Sequence, residues 1–130
     1  MFNITRFKLE KIMEETVGEI IDYGVKMVGA PLEWSETMGE NINVGIIDTG
    51  IDLTHLDLKQ RVKKYKNFVG DNPKDVTDEN GHGTHVAGII AASKNNFGVI
   101  GVAPMANLYI AKAFNARGNA ADGAIYKLAI

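Results

Sequence analysis

The chain has 130 residues, 45% of them hydrophobic and 23% charged, which is ordinary globular material, enough for one core and too little for two domains. A formal net charge of -2 excludes the clearly basic face that a nucleic acid demands. The absence of cysteine excludes disulfides, thiolate catalysis and Cys-type zinc sites, and fits a reducing compartment. Met1 to Thr16 scatters Arg6, Lys8, Glu10, Lys11, Glu14 and Glu15 among its apolar residues, so it has no uncharged core for a secretory signal. No stretch approaches the length of a membrane span. The expected location is cytoplasmic, with neither nucleic acid nor membrane as partner.

Phe7 to Val17 places Phe7, Leu9, Ile12, Met13 and Val17 at roughly helical spacing, which predicts a short amphipathic helix within an N-terminal extension, residues 1–22. Pro31 suits the first turn of a helix ending near Met38-Gly39. Ile42 to Asp48 is an apolar, β-prone run stopped by Thr49-Gly50, the pattern of a buried strand, and Val62 to Val69 reads as a second. The basic run Lys59 to Lys66 is expected to be a solvated strand edge. Gly70 to Glu79, with Pro73 and the acids Asp71, Asp75, Asp78 and Glu79, is a loop. Asn80-Gly81 opens a helix from about His82 to Ser93, whose small residues permit close packing on a sheet. A second loop, Lys94 to Gly101, precedes a third strand over Leu108 to Phe114 and a helix beginning at Ala121. Strands alternating with helices predict an α/β fold with a parallel sheet.

Two of these positions carry chemistry. Asp48 lies just beyond the carboxyl end of a strand, where an open parallel sheet places its ligands, and His82 begins a helix. An imidazole that takes a proton from a hydroxyl needs its far nitrogen held by a carboxylate, and Asp48 and His82 suit those roles. No serine in a fitting context follows His82 within the 130 residues.

Asp48-Thr-Gly-Ile-Asp52, His55-Leu-Asp-Leu58, Asn80-Gly-His-Gly-Thr-His-Val-Ala-Gly88 and Gly98-Val-Ile-Gly-Val-Ala-Pro104 resemble successive blocks of the subtilisin-like serine proteases. The likeness runs from about Tyr23 to Ile130. Tyr23 to Lys26 and Ala30 to Trp34 are most similar to the intracellular bacterial branch. The resemblance implies a subtilisin-like parallel sheet with flanking helices, the third strand inserted between the first and second, with residues 23–130 as the N-terminal part of a peptidase domain. It makes Asp48 the orienting acid, His82 the general base and His85 a buried structural residue. It also implies a structural calcium ion held by Asp57 and Asn95 and by the carbonyls of Ser93, Phe97 and Val99, although the bland reading of that loop is an Asn-Gly surface turn. Gly118, Asn119 and Ala120 fall where the family pairs a strand with an extended polypeptide substrate. The nucleophile block and the oxyanion-hole Asn would lie beyond Ile130, making a C-terminal segment an expected partner.

Three rival readings are weighed against this one. Hydrophobic-Asp48-Thr49-Gly50 matches the loop of aspartic proteases, but those are nearly all β and the pattern here is α/β. His82 and His85 stand three apart on a helix, yet no Glu-bearing zinc motif accompanies them. The alternative that survives is a non-catalytic remnant or truncated paralogue that binds peptide or calcium.

Overall fold

The computed structural model describes residues 18–120 and Gly123. The helices expected over Phe7–Val17 and from Ala121 onward lie outside the described residues. Six elements follow in order: α1 (Tyr23–Met27), α2 (Ala30–Glu33), β1 (Asn43–Asp48), β2 (Val62–Asn67), α3 (His82–Ala91) and β3 (Asn107–Lys112). The three strands form one parallel sheet in the order β1-β3-β2. The inserted third strand is thus observed, and it aligns Ile46 with Ile110 and Asp48 with Lys112.

The sheet takes its covered face from α3, because Gly83, Ala87 and Ala91 recur every fourth position and let the helix backbone lie close. Ile46, Leu108 and Ile110 meet Ala87 and Ala91 in a core completed by Ile51, Leu58, Val76 and Ala106. β1 is half-buried rather than buried. Its inward residues Ile46 and Asp48 are covered, whereas Asn43, Gly45 and Ile47 are exposed, since among the described residues only one face of the sheet carries a helix.

Element ends differ from the sequence pattern where side chains intervene. β2 stops at Asn67, whose Oδ1 accepts from Val69 N and Gly70 N and turns the chain. β3 stops at Lys112, after which Ala113 N and Phe114 N both donate to the carbonyl of Asp48. The helix at Pro31 is a single turn, because Glu33 O accepts from both Glu36 N and Thr37 N and the segment winds into turns. α1 was not evident from the irregular polarity of Gly18 to Ala30. Glu19 to Asp22 are tied into the body: Ile20 pairs in parallel with Val99, and Asp22 Oδ1 accepts from Tyr23 N at the start of α1.

Candidate active site

A helix begins with N–H groups that have no partner within it. In α3 side chains from outside take up all of them. Gly81 N donates to Asp78 Oδ1 at 2.9 Å, His82 N to Asn80 Oδ1 at 3.2 Å, Gly83 N to Thr49 Oγ1 at 2.9 Å and Thr84 N to Asp78 Oδ2 at 2.8 Å. The capping groups come from the β1 exit and from the loop before the helix, so the start of α3 is fixed against the end of β1. Close approach is possible because residue 83 is glycine: a Cβ there would stand 2.2 Å from the carbonyl oxygen of Gly50.

That docking brings together two residues 34 apart in sequence. His82 Nδ1 lies 2.8 Å from Asp48 Oδ1 and 3.0 Å from Oδ2. An ionised carboxylate only accepts, so Nδ1 carries the proton and donates it. Asp48 is 6% exposed and also accepts from Thr49 N at 2.7 Å, while the His82 side chain keeps 30% of its surface. A buried, oriented acid behind a partly exposed imidazole can present the ring's other nitrogen to a hydroxyl in one tautomer.

Gly118, Asn119 and Ala120 sit on a tight turn beside this pair. Asn80 bridges the two, its Oδ1 accepting from His82 N and its Nδ2 donating to Ala116 O at 3.0 Å. Within the turn Gly118 N donates to Asn115 O, Asn119 N to Asn115 Oδ1, and Asn115 N to Asn119 O. Ala120 forms an antiparallel bridge with Phe114. Among the described residues, the Gly118 carbonyl and the Ala120 N–H have no partner.

Asp57, Ser93, Asn95, Phe97 and Val99 also come together, on the far side of α3. Asp57 is 1% exposed; its Oδ1 accepts from Asn95 Nδ2 at 2.8 Å and its Oδ2 from Val99 N at 3.3 Å. Glu19 joins the loop by accepting from Asn95 N at 2.7 Å. Among the described residues no N–H donates to the carbonyls of Ser93, Phe97 or Val99, and Ser93 Oγ is buried without a partner. Asp57 and these three carbonyls could offer oxygens to a hard cation, whereas the Asn95 amide turns its Nδ2 to Asp57 and its Oδ1 accepts from Phe97 N at 3.0 Å. Among the described residues no group of three or more His, Cys, Asp or Glu side chains gathers to hold a metal.

Residues 39–128 match the model of the Subtilase family. The chain belongs to that family. An intracellular serine protease of Paenibacillus polymyxa is 48% identical over 109 residues, covering 82% of this chain and 33% of the relative. The major intracellular serine protease of Bacillus subtilis is 46% identical over 79% of this chain and 33% of its own length, and subtilisin DY of Bacillus licheniformis 44% identical over 82% and 38%. The chain therefore spans about a third of the length of these subtilases.

One expectation is corrected. His85 is exposed, not buried. Two residues on from Gly83 it points about 200° around the helix from the packed stripe, and with Ile89 it faces a cavity of about 410 Å³ that Ile20, Val25 and His55 also line. The sequence reading also missed Asp78, which it treated as one acid among four in a loop. Asp78 accepts from Thr49 Oγ1 at 2.8 Å and from Thr84 Oγ1 at 2.6 Å besides the two helix N–H groups. Burial pushes its carboxyl upward, but the bonds from Thr84, Gly81 and Thr49 together outweigh burial and hold it below the ordinary carboxylate value.

A carboxyl depressed in the folded state stabilises above its unfolded-state value and loses that contribution as pH falls through the folded one. Asp78→Asn is accordingly expected to cost about 1.5–3 kcal/mol at pH 6, the worth of hydrogen bonds to a charged acceptor. That difference should shrink as the pH is lowered below about 4. Urea midpoints of both proteins across that range check it; a constant gap at every pH contradicts it.

Proposed function

We propose that this segment supplies the acid and base of an Asp-His-Ser endopeptidase acting on polypeptides. The carrying observation is the bond from His82 Nδ1 to both oxygens of buried Asp48. In this reading His82 takes the proton of a serine hydroxyl as it attacks the scissile carbonyl and returns it to the leaving amine. Asp48 holds the tautomer and stabilises the imidazolium. The serines of the 130 residues do not meet that need. Ser35 sits on an exposed turn after α2, and Ser93 lies beyond the opposite end of α3, about 15 Å along its axis by helix rise. The Gly118 carbonyl and Ala120 N–H are the groups that would pair with an extended substrate. An intracellular setting belongs to the same reading, supported by the names of two relatives and the lack of cysteine.

The test joins residues 1–130 to the remaining portion of the Paenibacillus polymyxa relative, as a fusion or in trans. The fusion should hydrolyse a general peptide substrate and be labelled by a fluorophosphonate; the 130-residue chain by itself should do neither. A folded fusion that resists labelling, or turnover by the chain alone, overturns the proposal.

The same reading includes a structural calcium ion held by Asp57, Asn95 and the carbonyls of Ser93, Phe97 and Val99. Bound there, it would neutralise the buried Asp57 and stiffen the loop after α3. Calcium should then raise the melting temperature relative to chelator, by the equivalent of about 2.7 kcal/mol at a hundredfold excess over Kd. Asp57→Asn should abolish that difference. An equal melting temperature in chelator and in millimolar calcium counts against the site.

A further inference from the structure

Asp78 makes no hydrogen bond to either member of the Asp48–His82 pair, yet it bonds to the threonines that stand beside both. Thr49 follows Asp48 at the β1 exit, and Thr84 lies two residues beyond His82 in α3. Each hydroxyl has one proton to donate and lone pairs with which to accept. Thr49 Oγ1 donates to Asp78 Oδ1 at 2.8 Å and accepts from Gly83 N, on the helix, at 2.9 Å. Thr84 Oγ1 donates to Asp78 Oδ2 at 2.6 Å and accepts from Asp52 N, on the β1 exit, at 3.0 Å. The two threonines thus reach across in opposite directions, and one carboxylate receives both protons.

We propose that Asp78 is a positioning residue that sets the polarity of this reciprocal clasp and so fixes the distance and tautomer of the Asp48–His82 pair. Because an ionised carboxylate has no proton to give, both hydroxyls must turn their hydrogens toward it. Their lone pairs are then left facing Gly83 N and Asp52 N. An amide in its place would offer a donor to one threonine, whose hydroxyl would rotate and turn its own hydrogen on a backbone N–H. One strand of the clasp would become repulsive, and α3 would move relative to β1. His82, at the first helical position, would move with it.

The inference rests on the acid–base reading of Asp48 and His82, but its test needs no turnover, so the two can fail separately. Nitrogen chemical shifts of the 130-residue chain, recorded where the ring is neutral, give the ratio of His82 Nδ1–H to Nε2–H tautomers. Asp78→Asn, Thr49→Val and Thr84→Val should each lower that ratio about tenfold, as expected when one charge-assisted hydrogen bond is loosened. Thr49→Ser and Thr84→Ser, which keep the hydroxyl, should retain the original ratio. So should Asp75→Asn, an exposed acid of the same loop whose oxygen accepts from Thr77. Folded Asp78→Asn with lowered stability but the original ratio would reduce Asp78 to a structural residue and overturn the proposal. If Asp78→Asn does not fold, the two valine variants decide in the same way, since each removes only half of the clasp.

Discussion

His82→Ala, introduced into the fusion with the Paenibacillus polymyxa portion, should lower kcat by about 2 × 10⁶ and Asp48→Asn by about 10⁴, figures that belong to the subtilisin and trypsin triads themselves. KM should change little, because neither side chain is placed to bind the substrate before the proton moves. The inequality has a structural source. Without the imidazole nothing removes the hydroxyl proton, whereas Asn at 48 leaves a base present in the wrong tautomer: an amide can donate to Nδ1, and the proton then resides on the nitrogen that should accept. Combining the two changes should cost no more than His82→Ala alone, since the residues act as a unit. Steady-state kinetics on the three variants check this. Equal and additive losses would mean that the 2.8 Å contact is a structural bond and not a working pair.

Gly83→Ala should be far more damaging than its single methyl suggests. The added carbon would meet the Gly50 carbonyl oxygen at 2.2 Å, Gly50 N at 3.1 Å and Asp48 Oδ1 at 3.2 Å. The nearest atoms are backbone, so no side chain can swing aside and the helix or the β1 exit must retreat. Overpacking of this kind costs about 1–3 kcal/mol, a large part of the roughly 5–15 kcal/mol that holds a domain together. The retreat also draws His82 from Asp48, and a misplacement near 1 Å can lower turnover by about 10²-fold. Gly88→Ala supplies the contrast. It lies on the same helix with nothing among the described residues within 4 Å of an added carbon, so it should stabilise by up to about 1 kcal/mol through helix propensity. Urea unfolding of the two variants separates them; similar midpoints would show that the α3–β1 approach is looser than the structure has it.

The strands and the long helix were legible because hydrophobic runs and small-residue spacing are local signals. The parallel direction of β3 against β2 goes with the crossover through α3, whereas no helix separates β1 from β2 in sequence and alternation does not give their direction. The ends were less legible, since Asn67 and the Asp48 carbonyl terminate strands through bonds that no periodicity encodes. His85 was assigned from its block and not from its angle on the helix, and the angle decides its exposure. Asp78 was hidden for a further reason. Composition marks Gly70 to Glu79 as a polar loop but cannot say which acid turns inward, and the partner that decides it, Thr49, is 29 residues away.

The middle position of β3 also governs when the sheet can come into being. Among the described residues β1 and β2 each pair with β3, which begins at Asn107, so a ribosome delivering about 5–20 residues per second releases both of them, and then α3, before the strand that lies between them. Until Lys112 pairs with Asp48 and Ala113 and Phe114 engage its carbonyl, the acid stands on a strand with two open edges. Parallel pairings across so long a span are late events in folding. A nascent chain therefore carries β1, β2 and α3 unjoined by the sheet until Asn107 to Lys112 emerge, and the support of β3 beneath Asp48 arrives as a step instead of growing with chain length.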